Sequence, residues 1–109
     1  LVLLNDPIYV EAARVFAEHV LERKGSLDDR IDWAFRRVVD REGTPEERRI
    51  AADLYRTSLE QYRRSPKDAA ELLRVGEAPV PAGARPDELA AMTMVARALL
   101  NMHETITRN

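Results

Sequence analysis

Thr44-Pro45-Glu46-Glu47 opens the most readable helix in this chain. A threonine hydroxyl can accept from one of the backbone N–H groups that a helix leaves unpaired at its start. Proline suits the first helical position because its missing N–H would be unsatisfied there anyway. The two glutamates then sit at the positive end of the helix dipole. The same punctuation, a polar or charged residue followed by proline, recurs at Asn5-Asp6-Pro7, Ser65-Pro66-Lys67-Asp68 and Arg85-Pro86-Asp87-Glu88. A helix-periodic apolar pattern follows each. The reading is an all-α fold.

Working outward from Thr44, helix three is expected to turn Ile50, Ala51, Leu54, Tyr55, Ser58, Leu59 and Tyr62 inward. Upstream, Ser26 caps helix two, with Asp29 where a capping box needs it. Leu27, Ile31, Ala34, Phe35 and Val38 line its inner face, and Gly43 ends the segment. Helix one spans Pro7 to Lys24 and stops at Gly25, a natural C-terminal residue. At 100° per residue, Ile8, Tyr9, Ala12, Val15, Phe16 and Val20 form its apolar arc, with Glu11, Arg14 and Glu18 opposite. Leu1 to Leu4 are expected to pack back on the bundle as an extended arm.

Downstream, Ser65 caps a short fourth helix carrying Ala69, Leu72 and Leu73 and closed by Gly76. Glu77 to Pro86 holds three of the six prolines and reads as the long loop. Helix five spans Asp87 to Ile106, with a narrow polar strip of Thr93, Arg97, Asn101, Glu104 and Arg108. Leu89, Met92, Val95, Ala96, Leu99, Met102 and Ile106 cover most of the rest, the pattern of a central helix. The expected architecture is an antiparallel bundle of four long helices and one short helix, with a proline-rich loop before the last. Residues 1–109 form a single helical domain in this reading. The apolar start without an initiator methionine suggests the C-terminal fragment of a longer protein.

Composition narrows function by exclusion. The 109 residues carry 17 basic and 19 acidic side chains, a net charge of −2 that offers no global attraction for nucleic acid or an anionic membrane. Absence of cysteine excludes a thiol nucleophile, haem attachment and Cys-based zinc within these residues. No apolar run approaches the ~20 residues needed to cross a bilayer. The arginine pairs Arg36-Arg37, Arg48-Arg49 and Arg63-Arg64 alternate with acidic residues, the pattern of a solvated helix face.

Catalytic sets are missing as well. His19 and His103 are the only histidines, and both fall in or beside apolar arcs, as structural core-edge residues do. His103-Glu104 begins an H-E-x-x-H zinc pattern, but Thr107 stands where the second histidine belongs. No Gly-x-Ser-x-Gly elbow and no glycine-rich phosphate loop is present. The expectation is no catalytic, cofactor-binding or metal-ligating residue.

Three stretches carry a resemblance. They are Leu3-Leu4-Asn5-Asp6-Pro7 with Glu11-Ala12-Ala13-Arg14; Ala34-Phe35-Arg36-Arg37 with Arg41 and Thr44-Pro45-Glu46-Glu47; and Leu99-Leu100-Asn101-Met102-His103-Glu104. Together they are similar to the C-terminal part of a planctomycete-specific domain of unknown function, found in large multidomain proteins alongside cytochrome c-like domains. Where that pattern continues with an aromatic residue, this chain has Thr105. The resemblance implies an exported or cell-envelope-associated parent and upstream domains of that parent as partners, and it transfers no catalytic residue.

Trp33 falls about 200° from Ile31 around helix two, on the polar side with Arg36 and Arg37. It either covers the loop near Pro79 to Pro81 or docks another domain, so Trp33, Arg36 and Arg37 are the candidate interaction surface. The leading expectation is a non-catalytic C-terminal module that packs against or docks other domains. It binds no nucleic acid or metal and does not insert in a membrane. The alternative is a contribution to an active site shared with upstream domains, through His103, Glu104, Asn101, His19 or Asp6.

Overall fold

A computed structural model describes residues 7–76 and 78–108, with side chains described as far as residue 103. The caps at Asn5 and Asp6, the Leu1 to Leu4 arm, Glu77 and the side chains of residues 104–108 lie outside what the structure describes. Five helices follow in order: α1 (Pro7–Glu22), α2 (Leu27–Val38), α3 (Pro45–Arg64), α4 (Pro66–Leu73) and α5 (Pro86–Arg108). The described residues contain no strand. This is the all-α bundle of four long helices and one short helix that the punctuation predicts.

Helix starts follow local chemistry. Ser26 and Thr44 both form capping boxes. Asp29 N donates to Ser26 Oγ at 3.2 Å and Ser26 N to Asp29 Oδ2 at 3.0 Å. Glu47 N donates to Thr44 Oγ1 at 3.1 Å and Thr44 N to Glu47 Oε1 at 2.9 Å. Each such cap stabilises its helix by about 1 kcal/mol. Ser65 departs from expectation. It sits at the junction of α3 and α4, and its hydroxyl donates to Asp68 Oδ2 at 2.9 Å without accepting from a backbone N–H.

Helix two stops at Val38, earlier than Gly43 suggests, and Asp40 takes the positive φ of 62°. Gly43 serves packing. A Cβ there would lie 2.9 Å from Phe35 Cγ, so only glycine lets the chain pass against that buried ring.

The apolar α5 is central and packs against each of the other four helices. Leu89, Met92, Val95, Ala96 and Leu99 are buried along it, as the pattern predicts. Thr93 was expected on the polar strip but is fully buried. Its Oγ1 donates to the Leu89 carbonyl at 2.7 Å, which satisfies the hydroxyl inside the helix's own turn.

The largest correction concerns α1. Its buried residues are Val10, Ala13, Arg14, Ala17 and Val20. Ile8, expected inside, is 78% exposed, and Ala12 is exposed beside it. Helix α1 packs against α5, and the alanines Ala13 and Ala17 of the one and Ala90 and Ala96 of the other are buried in the same core cluster. Small side chains let two helix backbones approach closely. A reading weighted by large apolar residues therefore picks the wrong face. On α3, Ile50 is likewise 57% exposed, while Ala51, Ala52 and Ser58 are buried.

Candidate interaction surface

The aromatic pair Phe16 and Trp33 joins α1 to α2. Their ring centroids lie 5.9 Å apart and the planes are inclined by 17°, an offset stack. Phe16 is reached from α1 because it lies one turn before Val20, at the edge of the buried stripe. Trp33 lies beside Ala34, at the edge of the stripe on α2. Both rings are half-buried, so the stack closes the α1–α2 seam and still presents a face to solvent.

Two guanidinium groups approach the same indole. Arg23, just past α1, places its Cζ 5.2 Å from the ring centroid, and Arg37 places its own at 6.0 Å. Both arginines are exposed. Phe16, His19, Glu22, Arg23, Trp33 and Arg37 line a cleft of about 370 Å³. Of the three residues singled out from sequence, the fold brings Trp33 and Arg37 together. Arg36 instead engages carboxylates, Asp32 at 3.0 Å and Glu42 at 3.5 Å. Arg23 was not singled out from sequence, because it reaches the indole from just past α1 and the periodicity of α2 does not show that neighbour.

The proline-rich loop is held by other residues. Arg14 is 1% exposed and pairs with Glu18, and its Nη groups donate to the carbonyls of Ala78 and Pro79. Glu11 Oε2 accepts from the backbone N–H of Ala78. The residues expected to face solvent on α1 therefore strap the loop. A buried arginine is tolerable when a carboxylate and backbone oxygens take most of its donors. Here the Nη groups are bonded, and the buried Nε has no hydrogen-bond partner among the described residues. Below the strap, Glu18, Leu21, Glu22, Ala84, Glu88 and Leu89 help line a second cleft of about 350 Å³.

Neither histidine sits at a core edge. The His19 side chain is 60% exposed, with Nδ1 3.5 Å from Glu22 Oε1. It shares the exposed face of Ile8 and Ala12, one helix face displaced from the true core. His103 is exposed near the end of α5, and Asn101, two residues earlier, is half-buried. Asp6 and the Glu104 side chain, named with them for a shared active site, lie outside what the structure describes. Among the described residues, no three His, Cys, Asp or Glu side chains are grouped so that they could hold a metal ion. No helix among them is long and apolar enough to cross a membrane.

Electrostatics are strongest away from the cleft. Arg41 forks onto Glu47, Nη1 to Oε1 at 2.8 Å and Nη2 to Oε2 at 2.9 Å. That pair and the Thr44 N–H lower the Glu47 carboxyl from 4.5 to about 2. Burial works to raise Asp87, but the Arg63 Nε bond at 3.1 Å and the Glu88 N–H outweigh it, leaving the group below the usual carboxylate range. Burial lifts the Tyr55 and Tyr62 phenols above their ordinary value. These pairs tie helix ends together and lie apart from the Trp33 cleft.

A family model matches residues 1–55, and its description is PSD1, a protein of unknown function (DUF1553). The match spans α1, α2 and the first half of α3, and so includes Arg14 and every residue lining the Trp33 cleft. No curated protein and no solved structure matches the chain.

Proposed function

The chain belongs to the PSD1 family of unknown function (DUF1553), and from that membership we propose that it is a non-catalytic helical module that docks other domains of a larger polypeptide. In this reading it is the C-terminal unit of a planctomycete-type parent that is exported or associated with the cell envelope, and its partners are the domains upstream. The observation that carries the proposal is the Trp33 surface. The single tryptophan of the chain is half-exposed, stacked on Phe16 and flanked by Arg23 and Arg37. Tryptophan and arginine are the residue types that most often dominate binding energy at interfaces.

The test is calorimetric titration of this chain with the remainder of its parent polypeptide, supplied separately. A saturable complex is expected, weakened about tenfold or more by Trp33→Ala, in the range of an interface hot spot. An association untouched by that substitution, or turnover of the parent's substrates by this chain alone, overturns the proposal.

A further inference from the structure

Resting on the docking role above, we infer that the partner surface is acidic: a polypeptide segment with neighbouring Asp or Glu side chains around one apolar or aromatic residue. The apolar residue covers the Phe16–Trp33 stack, and the carboxylates reach Arg23 and Arg37.

Charge complementarity carries the inference. Arg14, Arg36, Arg41, Arg63, Arg64 and Arg85 each have a carboxylate within ion-pair distance. Arg49 and Arg56 share Asp53. Arg23 and Arg37 share the lack of a carboxylate ion pair with Arg30, Arg48 and Arg74 among the described residues, but they alone of these have an aromatic ring, Trp33, against the guanidinium group. A guanidinium against an aromatic face keeps N–H donors in its own plane, where a carboxylate can accept two of them in parallel. The ring also holds the long side chain, so less conformational freedom is lost when the pair forms. Glu22 is the sole carboxylate lining the cleft, and His19 already faces it at 3.5 Å.

The extent of the patch selects the class of partner. Two guanidinium groups around one indole match a short acidic segment. A nucleic-acid backbone needs a longer basic track, whereas Asp28, Asp29 and Asp32 lie on the same helix as Trp33 and the net charge is −2.

Trp33 itself reports the experiment, being the one tryptophan in the chain. The full chain is titrated with the synthetic peptide Glu-Glu-Phe-Glu-Glu while indole fluorescence is followed. A saturable change is expected, with affinity falling as salt is added. Binding weakens about tenfold for the Gln-Gln-Phe-Gln-Gln peptide and for the Arg23→Gln/Arg37→Gln double variant. Thermal melting of the double variant, whose changes are both at exposed positions, checks that the fold is kept. Equal binding of the glutamine peptide, full binding by the folded double variant, or a stronger response to oligothymidylate overturns the inference. If the acidic peptide fails while Trp33→Ala still weakens association with the parent's other domains, the acidic partner falls and docking stands. If both fail, both fall.

Discussion

Arg14 on α1 donates a hydrogen bond to the carbonyl oxygen of Ala78, a partner 64 residues further along the chain. The guanidinium is buried and paired with Glu18, so one side chain joins the first helix to the loop preceding the last. Removing one member of a buried ion pair leaves the other uncompensated. Arg14→Ala is expected to lower unfolding free energy by roughly 3–5 kcal/mol, measured by urea denaturation. Faster amide exchange across residues 78–84 should accompany the loss.

The displaced face of α1 makes a paired prediction. Ile8→Ser should leave stability within about 0.5 kcal/mol of the parent, because its side chain is already largely in water. Ala17→Leu should cost about 1–3 kcal/mol, because the added atoms have no room where α1 meets α5. Thermal unfolding of the two variants side by side decides it. The reverse order would restore the arc centred on Ile8 and Ala12.

Glu47 gives a pH dependence with a definite sign. Its carboxyl is lowered from 4.5 to about 2 in the folded chain. The unfolded chain therefore takes up the proton first as pH falls. The stabilisation from this group is complete above about 4.5 and is lost as pH drops toward 2. Denaturation midpoints across that window should fall less steeply for Glu47→Gln than for the unmodified chain.

Gly43 tests the packing role of a residue that resembles a helix terminator. Gly43→Ala is expected to destabilise by about 1–3 kcal/mol, since the new methyl meets the buried Phe35 ring. Trimming the ring as well, in Gly43→Ala/Phe35→Leu, should cost less than the sum of the separate changes.

Where each helix begins was legible because the signals are local. Ser26 with Asp29, Thr44 with Glu47, and each proline act within one turn of themselves. The central place of α5 was legible too, since a helix apolar over most of its circumference has to be surrounded. The face of α1 was not. Its core stripe sets two alanines and a charged residue between Val10 and Val20, and what makes Arg14 tolerable inside is its pairing with Glu18 and with a pair of carbonyls at positions 78 and 79. No window of sequence around Arg14 contains them. Thr93 misleads for a related reason, because its hydroxyl is satisfied by its own helix.

The candidate site was legible in outline. Trp33 stood out as the single tryptophan on a polar face, and Arg37 came with it. Arg36 and Arg37 are neighbours in sequence, yet α2 turns one toward Asp32 and the other toward the indole. Arg23 joins through the fold, from the end of a different helix.

Side-chain oxidation footprinting, comparing this chain alone with the same residues inside the full-length parent, tests the docking surface most directly. Phe16 and Trp33 should be markedly less oxidised in the parent, with Ile50, exposed on α3 and outside the Trp33 cleft, modified to the same extent in both. Equal oxidation of Trp33 in the two samples, or protection confined to Ile50 and its neighbours, would contradict the account.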